Sequence, residues 1–151
     1  MDQLTDKRIV LLVSTLASFL APFMSSAINI ALPAIGKEYN AAAVVLGWLA
    51  TSYLLAAAMF LLPFGRLADI KGRKKIFTLG LGLYTVASFL CTVAMNVFWF
   101  IAFRVIQGLG STMIFGTGVA MVTSAYPPEE RGRALGINVS ATYLGLTLGP
   151  A

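Results

Sequence analysis

Apolar residues in this chain come in long unbroken runs, without the three-to-four spacing of a half-buried helix or the strict alternation of a half-buried strand. Ile9 to Ile35, Ala41 to Phe64, Ile76 to Val97 and Phe98 to Tyr126 are four such runs, the last interrupted only by Arg104. Each meets the length of roughly 20 residues that a helix needs to cross a hydrocarbon layer about 30 Å thick. A fifth run starts near Ala134 and is still apolar at Ala151. Only helices and closed barrels satisfy their backbones in lipid, and unalternating runs belong to helices. The pattern predicts an all-α integral membrane protein, a polytopic bundle with four complete transmembrane helices and part of a fifth. Because neither a charge nor an aromatic anchor follows the fifth run, the expectation is an N-terminal fragment of a longer protein.

Composition agrees with that reading. Of the 151 residues 58% are hydrophobic and only 11% charged, against about 25% charged in an ordinary soluble domain. The net charge of +5 does not point to nucleic acid, because the charges sit in short gaps between apolar runs and not along one wet face. The single cysteine, Cys91, lies inside the third run and histidine is absent, so neither an internal disulfide nor a metal cluster is expected. Lys7 and Arg8 before an apolar stretch resemble a secretory signal with Ser25, Ser26 and Ala27 as its cleavage site. Against this, Asp2 and Asp6 cancel the leading charge, and apolar character resumes through "INIALPAI" to full spanning length.

The distribution of Lys and Arg sets an orientation. Two lie in the tail, five in residues 65–75 and two in residues 127–133, whereas the opposite side has Lys37 alone. The tail and the even-numbered connections are therefore expected in the cytoplasm, and the chain as a multi-pass protein of the cell membrane. Tyr39, Phe98, Trp99 and Phe100 then fall at the outer interface and Tyr126 at the inner one, where amphipathic rings prefer to sit.

Arg104 is the charge inside a span, and placing it centrally costs roughly 2.5 to 3.5 kcal/mol even on the lenient insertion scale. It falls about 7 residues into the fourth run, roughly 10 Å below its outer end. From there its side chain either snorkels to the headgroups or faces the bundle. Gln107 lies one turn on, and Gly108 and Gly110 open room for close helix approach. Asn29 of the first run has a similar depth, so an Asn29, Arg104 and Gln107 cluster is an expectation that needs helix adjacency to decide. Tyr53, mid-span in the second run, either presents a ring face and hydroxyl to an organic ligand or packs with its hydroxyl bonded. In the fifth run Ala141, Gly145 and Gly149 form one smooth ridge, followed by Pro150. The ridge predicts close packing, within the bundle or as a dimer face, and the proline favours a kink.

The stretch "GRLADIKGRKK", residues 65–75, places Gly65, Asp69, Gly72 and Arg73 between spans two and three. It resembles the GxLADxxGRK signature loop of the major facilitator superfamily of secondary transporters at every fixed position. "FRVIQGLG", Phe103 to Gly110, is similar to that family's fourth-span RxxQGxG motif, and Gly145, Gly149 and Pro150 resemble the start of its fifth-span antiporter motif. "INIALPAI" and "WLATSYLL" are most similar to the fourteen-span drug:proton antiporter branch. That branch usually opens its first-span motif with an Asp where this chain has Met24, and has Thr where Ser26 stands. No carboxylate remains inside the spans present, so a proton-coupling carboxylate is expected beyond Ala151.

The resemblance implies alternating access, in which two helical bundles rock about a midplane site without covalent chemistry. On this reading the chain is not an enzyme, needs no cofactor beyond a proton gradient, and exports amphipathic organic compounds. Its partners are a small-molecule substrate, the lipid bilayer and the remaining spans of the same transporter, with no nucleic acid. The resemblance also implies that Asp69 meets a helix end of the opposite bundle in the outward-open state, that Gly65 permits close approach, and that Arg73 completes the charge network. Arg104, Gln107, Asn29 and Tyr53 are the expected coupling or substrate-binding residues. Uptake of a small metabolite is the alternative within the superfamily. A self-contained four-span pump is the alternative outside it, and lacks the embedded carboxylate such pumps need. A weak echo of the loop, Glu129-x-x-Gly132-Arg133, stands at the next cytoplasmic turn.

Overall fold

The computed structural model describes residues 2–150, which form five helices: α1 (Asp2–Glu38), α2 (Ala43–Lys71), α3 (Arg73–Thr92), α4 (Val97–Ala125) and α5 (Pro128–Leu148). The first four are long and apolar enough to cross a membrane. The fold class is the expected all-α bundle, with no strand among the described residues.

Helix boundaries differ from the apolar runs where local chemistry overrides hydropathy. α2 continues through Pro63 and Gly65 to Lys71, seven residues past the expected end at Phe64. The polar residues of the 65–75 stretch are good helix formers, and a helix leaving the membrane need not stop. The break falls at Gly72, whose φ of +101° and ψ of 124° suit a residue without a Cβ. What the sequence presents as a connecting loop is thus two helix ends joined at one glycine. The end of α3 lies at Thr92, five residues before the expected Val97. There Asn96 caps α4, its Oδ1 accepting from the backbone N–H groups of Phe98 and Trp99, each at 3.1 Å, which settles two of the donors left over at a helix start. α5 begins at Pro128, six residues earlier than expected. Proline tolerates the first helical position because its missing N–H is not needed there, and Glu129 and Glu130 in the first turn favour the positive end of the dipole. The described part of α5 runs to Leu148, and Gly149 keeps helical φ and ψ of −57° and −38°.

Connections place alternate helix ends together. At one end Lys7 pairs with Glu130 at 2.8 Å and Arg73 reaches the last turns of α4. At the other, the Tyr39 hydroxyl donates to the Ala94 carbonyl at 2.7 Å, tying the α1–α2 turn to the α3–α4 turn. α4 is the central element, packed against α2, α3 and α1, while α5 leans on α1.

The bundle interior interleaves polar side chains with an apolar core, and its outside is apolar. Ser14, Ser18, Ser52, Arg104, Gln107, Ser111, Thr112, Thr117 and Asn138 are buried, whereas Leu62, Phe89 and Met95 are among many large exposed apolar side chains. Water would penalise that surface heavily, but lipid does not, and helices in lipid gain by interlocking small and polar residues. Glycines make the contacts intimate. A Cβ at Gly110 would meet the Tyr84 backbone N at 2.7 Å, and one at Gly108 would run into the Tyr53 carbonyl. Backbone therefore touches backbone where α4 crosses α3 and α2.

Candidate functional site

The fourth helix buries its charge in the middle of this contact. Arg104 has no exposed surface, so its side chain faces the bundle and does not snorkel. The guanidinium Nε donates to the Leu49 carbonyl of α2 at 3.1 Å, and Nη1 donates to Gln107 Oε1 at 2.7 Å. Its Cζ stands 4.4 Å from the centroid of the Tyr53 ring. A cation over an aromatic face is stabilised by roughly 2 kcal/mol when desolvated. One face of the Tyr53 ring is thus taken by Arg104.

The network continues across α3. Gln107 Nε2 donates to Ser88 Oγ at 2.7 Å, and Ser88 Oγ donates to the Tyr84 carbonyl at 2.8 Å. The Tyr84 hydroxyl then donates to the Ala21 carbonyl of α1 at 3.0 Å. One chain of contacts thus links α1, α3, α4 and α2 around a buried cation. Among the described residues the ion pairs are Lys7–Glu130 and Arg73–Asp69, so Arg104 is held by dipoles and a ring, not by a carboxylate. A buried charge balanced only by neutral groups responds strongly to any carboxylate, proton or charged ligand brought near it.

The structure brings together Arg104, Gln107 and Tyr53 but not Asn29, which is exposed on α1. The rotation of α1 turns Asn29 to another side. The residues that sequence reasoning did not join to this site are Leu49, through its carbonyl, Ser88 and Tyr84. No spacing rule joins them to Arg104, because they lie on other helices.

A second polar seam joins α1 to α5. Ser18 Oγ donates to Asn138 Oδ1 at 3.2 Å, while Ser14 Oγ, Thr15 Oγ1 and Asn138 Nδ2 are buried without a protein partner. Asn138 was not singled out from the sequence, although a lone amide in an apolar run is a readable signal. Beyond the seam, the glycine ridge of α5 meets α1 directly. A Cβ at Gly149 would lie 2.7 Å from the Phe23 carbonyl, and one at Gly145 would run into that of Phe19. The ridge is therefore an internal packing surface, and Ala141 on it is buried. Met24 stands exposed beside this contact, and Ser26 Oγ donates to the Leu146 carbonyl at 3.1 Å.

At the basic end, Asp69 Oδ1 accepts from Arg73 Nε and Nη2, both at 3.1 Å, across the break at Gly72. Arg73 Nη1 also donates to the Ala120 carbonyl at 3.0 Å and to Ser124 Oγ. Arg73 thus ties the α2–α3 corner to the end of α4, leaving the other Asp69 oxygen free at the surface. At Gly65 a Cβ would meet nothing within 4 Å, so none of the described helices requires glycine there. The echo at residues 129–133 is not repeated in space. Gly132 lies inside α5, Glu130 pairs with Lys7, whose ammonium also stands 5.2 Å from the Tyr126 ring centroid, and Arg131 donates to the Tyr126 carbonyl.

Comparison with known proteins covers nearly the whole chain. Residues 14–151 match the sequence profile described as Major Facilitator Superfamily. The riboflavin transporter RibZ of Clostridioides difficile is 32% identical over 145 residues, which are 96% of this chain and 32% of that protein. The probable actinorhodin transporter of Streptomyces coelicolor is 39% identical over 123 residues, 81% of this chain and 21% of that protein. The cephamycin export protein CmcT of Amycolatopsis lactamdurans is 35% identical over 136 residues, 89% and 28% respectively. The chain therefore spans about a third or less of the length of these relatives. In fold it superposes on a bacterial homologue of the human lysosomal transporter Spinster, solved inward-facing and unoccupied, with a TM-score of 0.88 at 24% identity, over 95% of this chain and 30% of that one.

Proposed function

This chain belongs to the major facilitator superfamily, and from that premise we propose that it supplies five helices of the first bundle of a secondary transporter that exports amphipathic organic compounds by alternating access. The observation that carries the reading is Arg104, a fully buried cation with no carboxylate partner among the described residues, set among Leu49, Tyr53 and Gln107. A structural charge would be expected with its counterion, since an uncompensated one is costly in lipid. A charge left electrostatically open suits a protein that must sense protons or a polar substrate group. The carboxylate that carries the proton would lie outside the residues described here. One of the relatives named above is a cephamycin export protein, which supports an efflux direction.

In this reading Arg104 and Gln107 act in coupling or at the polar part of the substrate site, and Tyr53 positions Arg104 through its ring. Gly65, Asp69, Gly72 and Arg73 form the switch: Gly72 lets α2 and α3 meet at an angle, Arg73 fixes the corner to α4, and the exposed Asp69 oxygen meets the opposite bundle in one state only. The tail and the basic end face the cytoplasm of a cell membrane, and no covalent step takes place. The test is Arg104→Ala in the full-length protein. Normal expression and membrane insertion with loss of efflux is the expected result, and wild-type efflux would remove Arg104 from the mechanism.

A second reading, uptake of a small metabolite, draws on the riboflavin transporter that matches 96% of the chain. Direction of substrate-dependent proton movement separates the two.

A further inference from the structure

The outer face of α3 holds a shallow trough of about 770 Å³ that the transport reading does not use. Lys74 and Lys75 stand at its basic end, and Leu79, Gly82 and Val86 run along it toward the middle of the span. Both lysines are exposed, and neither joins an ion pair among the described residues. Leu79 and Val86 are 62% and 58% exposed. Thr78 also lines the trough, and its hydroxyl donates to the Lys74 carbonyl at 2.9 Å. Gly82 has nothing within 4 Å of a would-be Cβ, so packing among the described helices does not call for glycine there. Its effect is to hollow the outer side of the helix.

From these features we infer that the trough binds an acidic phospholipid of the leaflet at the basic end. The lysine ammonium groups hold the phosphate, and one acyl chain lies along Thr78, Gly82 and Val86. Charge and length both fit this occupant. Two adjacent unpaired cations at the membrane boundary select an anionic headgroup over a zwitterionic one. Lys74 to Val86 covers about 18 Å of helix at 1.5 Å per residue, close to the hydrocarbon depth of one leaflet, about 15 Å. A further protein helix is a poor occupant, since it would bury both lysines against an apolar surface. The site is independent of cargo, of transport direction and of the Arg104 network.

The experiment is native mass spectrometry of the full-length protein released from nanodiscs containing phosphatidylglycerol and phosphatidylcholine in equal amounts. The wild type should retain phosphatidylglycerol selectively, with retention falling on the order of fivefold for each of Lys74→Gln and Lys75→Gln. Lys71→Gln, outside the trough, should retain as the wild type does. Gly82→Leu fills the trough without touching the bundle, and should lower retention while leaving the thermal unfolding midpoint unchanged. Added inorganic phosphate should not compete, because it has no acyl chain. Retention unaffected by the lysine variants, retention unaffected by Gly82→Leu, or crosslinking of a cysteine at Leu79 to another span of the protein would each overturn the assignment.

Discussion

Replacing Asp69 with Asn removes one charge and almost no volume, so it separates switching from folding. Within this bundle the charge has a single partner. The Arg73 pair is open to solvent, with side chains 38% and 64% exposed for Arg73 and Asp69, and such pairs contribute about 0 to 1 kcal/mol. Arg73 also keeps its bonds to Ala120 and Ser124 after the change, so the α2–α3 corner should hold and the unfolding midpoint should move little. Between conformations the balance is different. A carboxylate at a helix N-terminus is stabilised by about 0.3 to 1 kcal/mol, and by up to about 2 when partly buried. If that contact exists in one state only, its loss shifts the ratio of states by about 5- to 30-fold for 1 to 2 kcal/mol. The assay pairs efflux with spin-label distances between the two halves of the full-length protein. Asp69→Asn should depopulate the outward-open distance and slow efflux, while Lys71→Gln should do neither. Equal efflux in the two variants would refute the switch and reduce the stretch to a topology signal.

Arg104→Met should divide stability from activity. It forfeits two charge-assisted hydrogen bonds, about 1 kcal/mol each in a membrane setting, and a cation–ring contact of about 2 kcal/mol, but relieves about 2.5 to 3.5 kcal/mol of buried charge. The net loss of stability by reversible unfolding should be about 0.5 to 1.5 kcal/mol while efflux is lost, and a drop of several kcal/mol would show a structural clamp instead. Gly145→Val pushes into the Phe19 carbonyl of α1 and should destabilise the bundle by about 1 to 3 kcal/mol; Gly136→Ala, on the same helix with nothing within 4 Å, should be silent in the same thermal assay. Gly72→Ala forces a side chain into positive φ and should cost about 1 to 3 kcal/mol, read as a lower unfolding midpoint.

Properties that depend on one helix at a time were legible in the sequence. The pairing of Arg104 with Gln107 follows from their three-residue spacing, and the smoothness of the Ala141, Gly145 and Gly149 ridge from four-residue steps. Properties that depend on which helices touch were not. Nothing along the chain joins Arg104 to Leu49, Tyr53 or Ser88, or the ridge to Phe19 and Phe23, because adjacency in a bundle is set by packing of whole helices. Asn29 shows the same gap: depth fixes height in the membrane, but only the rotation of α1 decides which way a residue at that height faces. The 65–75 stretch shows another. Hydropathy marks where a helix leaves lipid, whereas the backbone ends a helix where a residue such as Gly72 leaves helical φ and ψ, and in α2 those points are seven residues apart.

The central claim is proton-coupled export through a bundle whose charged core is Arg104, and proton movement in oriented vesicles tests it most directly. With the full-length protein in inside-out vesicles holding an acidic lumen, addition of a transported amphipathic cation should release protons from the lumen as the compound enters, and the Arg104→Met variant should show no release. Proton release independent of the added compound, or substrate-driven proton entry only in right-side-out vesicles, would contradict the account and favour uptake.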